Sequence, residues 1–167
     1  EKRAESFWTQ TMVVVRPVKA SEAERVMALA AALLEPGEVA ELRAMLEASL
    51  AGNGTFWLVA ADDDGSECCG AAYVEPERMT DGTWNLQFIV VDEARRGKGV
   101  GARLVAAVDE EVRRRSGRVL LVETSAHLDI EPFYLKCGFR EVARIPDFYA
   151  DGDTKVTFWK RLAEEQR

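Results

Sequence analysis

Two hydrophobic periods, one of two residues and one of three to four, divide this chain into strands and helices. Met12–Val18 (MVVVRPV) is β-branched and predicts a strand that ends at Pro17, which cannot donate to a ladder. Val26, Leu29, Ala30 and Leu33 recur at helical spacing behind a Ser21–Glu24 capping box. Pro36-Gly37 breaks that helix, and a second follows through Leu42, Met45, Leu46 and Leu50 until Gly52-Asn53-Gly54 stops it. Phe56–Ala61 and Glu67–Val74 flank the turn Asp62-Asp63-Asp64-Gly65, an antiparallel hairpin signal. Trp84–Val91 (WNLQFIVV) is a third long strand, and Asp92–Gly101 (DEARRGKGVG) is a Gly-rich loop.

Helical spacing returns in Val100, Leu104, Val105, Val108 and Val112. Val119–Val122 is a short apolar strand with the polar continuation Glu123-Thr124-Ser125. Pro132–Cys137 fits a short helix with Pro132 near its first turn. Gly138–Ile145 and Lys155–Leu162 are the last strands, joined by the acidic loop Asp147–Asp153. The order β-α-α-β-β-β-α-β-α-β-β describes one domain over 12–167, behind a polar, patternless tail at 1–11.

Composition narrows the classes. With 167 residues, 47% hydrophobic and 31% charged, the chain has the size and makeup of a single globular domain, able to bury a core without disulfides or a structural metal. Lys and Arg total 22 against 29 Asp and Glu, a net charge of −7. That balance argues against nucleic acid as a partner, since each phosphate contact draws on a basic footprint. An acidic surface instead tolerates a cationic molecule. No apolar run reaches the roughly 20 residues of a membrane span, and Glu1–Gln10 has no apolar signal core. Cys68 and Cys69 are strand neighbours pointing to opposite faces, Cys137 stands alone, and His127 is the one histidine. Zinc is therefore not expected, and free thiols suit a reducing cytoplasm.

The strongest chemical signal is Arg95-Arg96-Gly97-Lys98-Gly99-Val100-Gly101, set between a strand and a helix. Amides in the first turn of a helix have no intrahelical partner, and the dipole adds positive character there. Glycines let an anion lie against the main chain, and Arg95, Arg96 and Lys98 add full charges. A phosphate or pyrophosphate fits. No window matches the P-loop pattern G-x-x-x-x-G-K-[ST]. Gly97-x-Gly99-x-x-Ala102 does satisfy the dinucleotide fingerprint, with Glu123 ending the next strand as a ribose-binding acid would. Five residues, Asp92 to Arg96, nevertheless separate strand from Gly97, where that fingerprint turns tightly. Beyond Glu123 the pattern holds one short helix and an antiparallel pair, too little for a doubly wound sheet.

At this loop the sequence resembles the GCN5-related N-acetyltransferase (GNAT) family. Arg96-x-x-Gly99-x-Gly101 matches the family's Q/R-x-x-G-x-G/A motif, and Ile89-Val90-Val91, the helix from Val100, the strand at Val119 and Phe133-Tyr134-x-x-x-Gly138-Phe139 follow in the family's order. The likeness spans roughly Val13 to Leu162. It implies an α/β (α+β) fold: a mixed, mostly antiparallel sheet of about seven strands, split at the centre and flanked by about four helices. It further implies acetyl-CoA as co-substrate, with its pyrophosphate on the amides of Arg96, Gly97, Lys98, Gly99, Val100 and Gly101. The pantetheine arm would lie along Ile89, Val90 and Val91 as though it were another strand, with Ser125 helping from the opposite side.

The resemblance makes Tyr134 the acid for the departing thiolate, since a phenol with a reference pKa of about 10 stays protonated at neutral pH. Where relatives carry a glutamate on the strand before the loop, this chain has Asn85 and Gln87, neither of which accepts a proton. A water chain or another carboxylate, such as Glu123 at its strand's end, is left as the base, and burial would strengthen it. His127 has a suitable pKa but sits in a loop. Pro146–Asp153 is either an acidic, aromatic lip for a cationic acceptor or a solvated hairpin turn. The expectation is transfer of acetyl to a primary amine of a small molecule or peptide, by direct attack in a ternary complex. A non-catalytic acyl-CoA-binding domain and a dinucleotide-dependent oxidoreductase are the alternatives. Edge strands near the C-terminus offer a surface for a homodimer.

Overall fold

The computed structural model describes residues 12–162, so the 1–11 tail lies outside the described residues. Among the described residues there are seven strands: β1 (Val13–Pro17), β2 (Phe56–Asp62), β3 (Cys68–Pro76), β4 (Thr83–Val91), β5 (Val119–Ser125), β6 (Arg140–Ala150) and β7 (Asp153–Arg161). Four helices accompany them: α1 (Ala23–Ala30), α2 (Pro36–Leu50), α3 (Val100–Arg114) and α4 (Glu131–Lys136). The strands form one sheet in the order β1-β2-β3-β4-β5-β7-β6. Only β4 and β5 pair in parallel, because α3 carries the chain back between them.

Alternation along the strands builds a core on each face. On one face Leu58, Ala72, Val74, Leu86, Leu120, Val122 and Phe158 meet Leu104, Val105, Val108 and Val112 of α3 and Tyr134 of α4. On the other, Trp57, Val59, Ala71, Tyr73 and Val90 meet Val26, Met27 and Leu29 of α1 and Leu42 and Leu46 of α2. Cys69 lies in the first core and Cys68 in the second, the opposite-face placement that adjacency predicts.

Three local expectations are corrected. The acid that closes the start of the first helix is Glu22, not Glu24: its carboxylate accepts from the Lys19 amide at 2.8 Å across a short 3-10 turn. Glu24 instead accepts from Arg43 of α2. Pro36-Gly37 begins α2 rather than merely ending α1, since proline's fixed φ suits a first turn. The acidic segment Asp147–Asp153 is not a loop. β6 continues to Ala150 through a register break after Ile145, and only Asp151-Gly152 turns the chain into β7.

Candidate active site

β4 and β5 are paired from Thr83↔Val119 to Leu86↔Val122 and no further, although β4 runs on to Val91 and β5 to Ser125. The sheet is split there, as the family likeness implies. The cause is a bulge: Val74 pairs with Leu86 and Tyr73 with Phe88, leaving Gln87 as the extra residue. A bulge bends its strand and increases local twist, turning β4 away from β5. Beyond it Ile89 and Val91 pack on the α3 face, while Phe88 and Val90 pack on the α1–α2 face.

The Asp92 amide donates to Cys69 O of β3 at 2.8 Å. Main-chain polar groups alternate in direction along a strand. Those of Ile89 and Val91 therefore turn into the split, and those of Val90 turn to β3. Val91 O accepts from Arg96 Nε at 3.2 Å, consistent with that direction.

The split runs into the N-terminus of α3. Gly97 and Gly99 have φ of 73° and 83°, left-handed values that side chains other than glycine resist. A β-carbon at either would meet nothing within 4 Å, so conformation rather than crowding calls for glycine there. The first intrahelical bond is Arg103 N–H to Gly99 O, and the amides of Val100, Gly101 and Ala102 have no main-chain acceptor. This open row of donors suits an anion. Of the nearby cations, Arg96 and Lys98 are exposed, Lys98 Nζ donating to Ala94 O. Arg95, grouped with them in the sequence, is consumed by an ion pair to Asp62 at 2.8 Å.

Tyr134 of α4 is only 4% exposed, its ring set among Phe133, Phe139 and Phe158. Burial pushes its phenol well above the ordinary tyrosine range. Its hydroxyl makes no hydrogen bond to another described residue. Cys137, at the end of the same helix, is half-buried, and burial raises its thiol despite nearby Lys160.

On the other lip of the split, Glu123 points to the α1–α2 face, opposite to Val122. Its side chain is about one-third exposed and pairs with Lys155 Nζ at 2.9 Å. Lys155 is itself buried, with its ammonium 3.8 Å from the centre of the Phe148 ring. Ser125 Oγ donates to Asp153 Oδ1 and accepts from the His127 amide, so this hydroxyl is already engaged. His127 lies exposed in a 3-10 turn. Partial burial, then the charges of Glu123 and Asp153, raise the Tyr149 phenol. The segment read as lip or turn is thus a strand wall beside Glu123.

One group escaped the sequence reading. Gln87 Nε2 donates to Glu75 Oε1 at 2.8 Å, Tyr73 OH donates to Glu75 Oε2 at 3.0 Å, and Asn85 Nδ2 donates to Glu77 Oε1 at 2.9 Å. Strand alternation alone places Tyr73, Glu75 and Glu77 on one face. Their β4 partners follow only from the register and its bulge.

Similar folds are known. A GNAT-family protein from Desulfovibrio desulfuricans is 28% identical, with a TM-score of 0.84 over 91% of this chain and 100% of that one. An aminoglycoside 6'-N-acetyltransferase complexed with coenzyme A shares the fold at 17% identity, with a TM-score of 0.75 over 92% of this chain and 99% of the other. YncA from Salmonella typhimurium, solved with acetyl-CoA, shares it at 18% identity and a TM-score of 0.72 over 93% and 96% of the two chains. No curated protein sequence matches. The acetyltransferase (GNAT) domain family matches residues 52–141, from the end of α2 into β6. That stretch is more than half of the chain and contains the split, the glycine loop and Tyr134, and so the chain belongs to the GNAT family of acetyltransferases.

Proposed function

We propose that this chain transfers the acetyl group of acetyl-CoA to a primary amine of a small molecule or peptide, by direct attack in a ternary complex. The observation that carries the reading is the alignment of the β4–β5 split with the open amides of α3. An extended arm needs strand-edge groups, and a diphosphate needs unpaired N–H donors beside positive charge. Ile89 and Val91 offer the first, and the segment Arg96–Gly101 offers the second, with Arg96 and Lys98 supplying charge. Val90 holds the strand in place by packing on the α1–α2 face. Ser125, tied to Asp153, shapes the opposite lip.

Acetyl-CoA supplies an activated thioester, and the chain holds it and manages protons. Holding both reactants in line can supply up to about 7–11 kcal/mol. Tyr134 keeps its proton throughout the neutral range and gives it to the departing sulfur. Structural neighbours support an amine acceptor: one is an aminoglycoside 6'-N-acetyltransferase and another, from Brucella melitensis, a ribosomal-protein-alanine N-acetyltransferase. The carboxylates Glu75, Glu77, Glu123 and Asp153 favour a cationic one. The exposed edge strand β6 offers a face for a homodimer. No helix among the described residues is long and apolar enough to cross a membrane, and the thiols of Cys68, Cys69 and Cys137 are free, as a cytoplasmic protein's would be.

Calorimetric titration with acetyl-CoA and with NADH, joined to a thiol-release assay on a panel of primary amines, tests this. Binding of acetyl-CoA alone with amine-dependent thiol release is expected. Binding without release would identify a sensor, and preference for NADH would overturn the reading altogether.

A further inference from the structure

The acetyl-transfer reading leaves the acceptor ammonium without an assigned proton acceptor, since β4 carries Asn85 and Gln87. We propose that Glu75 of β3, held at the mouth of the split by Gln87 and Tyr73, is the general base.

Three observations carry this. First, Gln87 is the bulged residue at which β4 parts from β5, and its amide grips Glu75 Oε1. Asn85, by contrast, still pairs with Leu121, so Glu77 stands behind the closed part of the sheet. Second, Glu75 has only neutral donors, Gln87 and Tyr73, whereas Glu123 on the opposite lip is occupied by Lys155 at 2.9 Å. Among the described residues Glu75 has no cationic partner. Third, Asn85 is only 2% exposed, yet its Oδ1 has no hydrogen-bond partner while its Nδ2 is fixed on Glu77. A buried carbonyl oxygen requires a donor, and a water held beside these carboxylates would provide one.

The arrangement also separates the two proton transfers. Glu75 shares the α1–α2 face with Tyr73, while Tyr134 lies on the α3–α4 face. An amine entering from the first face gives a proton to Glu75, and its freed lone pair attacks the thioester carbonyl. The C–S bond breaks towards the second face, where Tyr134 protonates the sulfur. The proton lost as the amide forms from the attacking nitrogen restores Tyr134 through solvent, and Glu75 releases its own to water.

Glu75→Gln tests the proposal in the full chain, with acetyl-CoA and the best-used amine among a polyamine, an aminoglycoside and a peptide with a free N-terminus. Affinity for acetyl-CoA should be unchanged. The value of kcat/KM should fall about 100-fold or more, with the original acidic limb of its pH profile lost and replaced by a rise at high pH, where the amine deprotonates itself. Glu75→Asp should restore part of the rate. Retention of kcat/KM within about threefold with the limb intact would overturn the role, as would loss of the limb in Glu123→Gln but not in Glu75→Gln. If the unmodified chain binds acetyl-CoA but acetylates no amine, or binds no acetyl-CoA, the transfer reading itself fails and the base falls with it.

Discussion

The ring of Phe133 lies directly over the α-carbon of Gly101: a β-carbon there would come within 3.1 Å of ring atoms Cε2 and Cζ. This glycine differs from Gly97 and Gly99, whose need is conformational. It lets α4 close onto the first turn of α3, which brings Tyr134, whose ring centre is 5.1 Å from that of Phe133, to the same end of the split.

Gly101→Ala should therefore act on rate more than on stability. Alanine gains about 1 kcal/mol over glycine in a helix, offsetting an overpacking cost of about the same size. Calorimetry should find the melting temperature within a few degrees of the parent's. The displaced Phe133 ring should shift Tyr134 and lower kcat several-fold in the thiol-release assay.

Gly99→Glu separates strain from charge when compared with Gly99→Ala. Both place a side chain at φ 83°, costing about 1–2 kcal/mol. Neither β-carbon meets a steric obstacle. Only glutamate adds negative charge at the helix N-terminus, so a titration should show acetyl-CoA affinity about 100-fold weaker than in the alanine variant. Equal affinities would remove the diphosphate from this loop.

Tyr134→Phe keeps the ring contacts with Phe139 and Phe158 and removes the proton. Acetyl-CoA affinity should stay within about threefold, while kcat falls about 100-fold. The same residue bears on alkaline stability. Its folded pKa lies above the unfolded value of about 10. Its contribution is thus whole below that pH and is lost as pH rises through the folded value. Unfolding monitored against pH should begin at a higher pH in the variant.

Lys160 and Asp109 pair at 2.6 Å with both side chains largely buried, and Asp109 Oδ1 has no hydrogen-bond partner. Burial already raises the Asp109 carboxyl against the pull of Lys160. Lys160→Met should cost about 3–5 kcal/mol, lowering the melting temperature by roughly 10 °C. The deficit should be smallest near pH 4 and grow as pH rises, because the unpaired group must then ionise. Adding Asp109→Leu should restore much of the loss.

What the sequence determined by itself is local. The glycine loop was legible because left-handed φ and free first-turn amides depend on residues a few positions apart, and glycine spacing records them. The strands and α3 followed from periodicity, whereas Tyr134 was singled out only through the family resemblance of Phe133-Tyr134 and Gly138-Phe139. The partners of charged and polar groups were not legible. Arg95 reaches Asp62, Glu123 meets Lys155, and Gln87 grips Glu75, each across a register that turns and helices set. A single extra residue at Gln87 opens the sheet and reverses which face each later side chain takes. Free main-chain amides are written in local conformation, whereas the partners of charged side chains are chosen by which strands lie side by side. Only the folded sheet decides that.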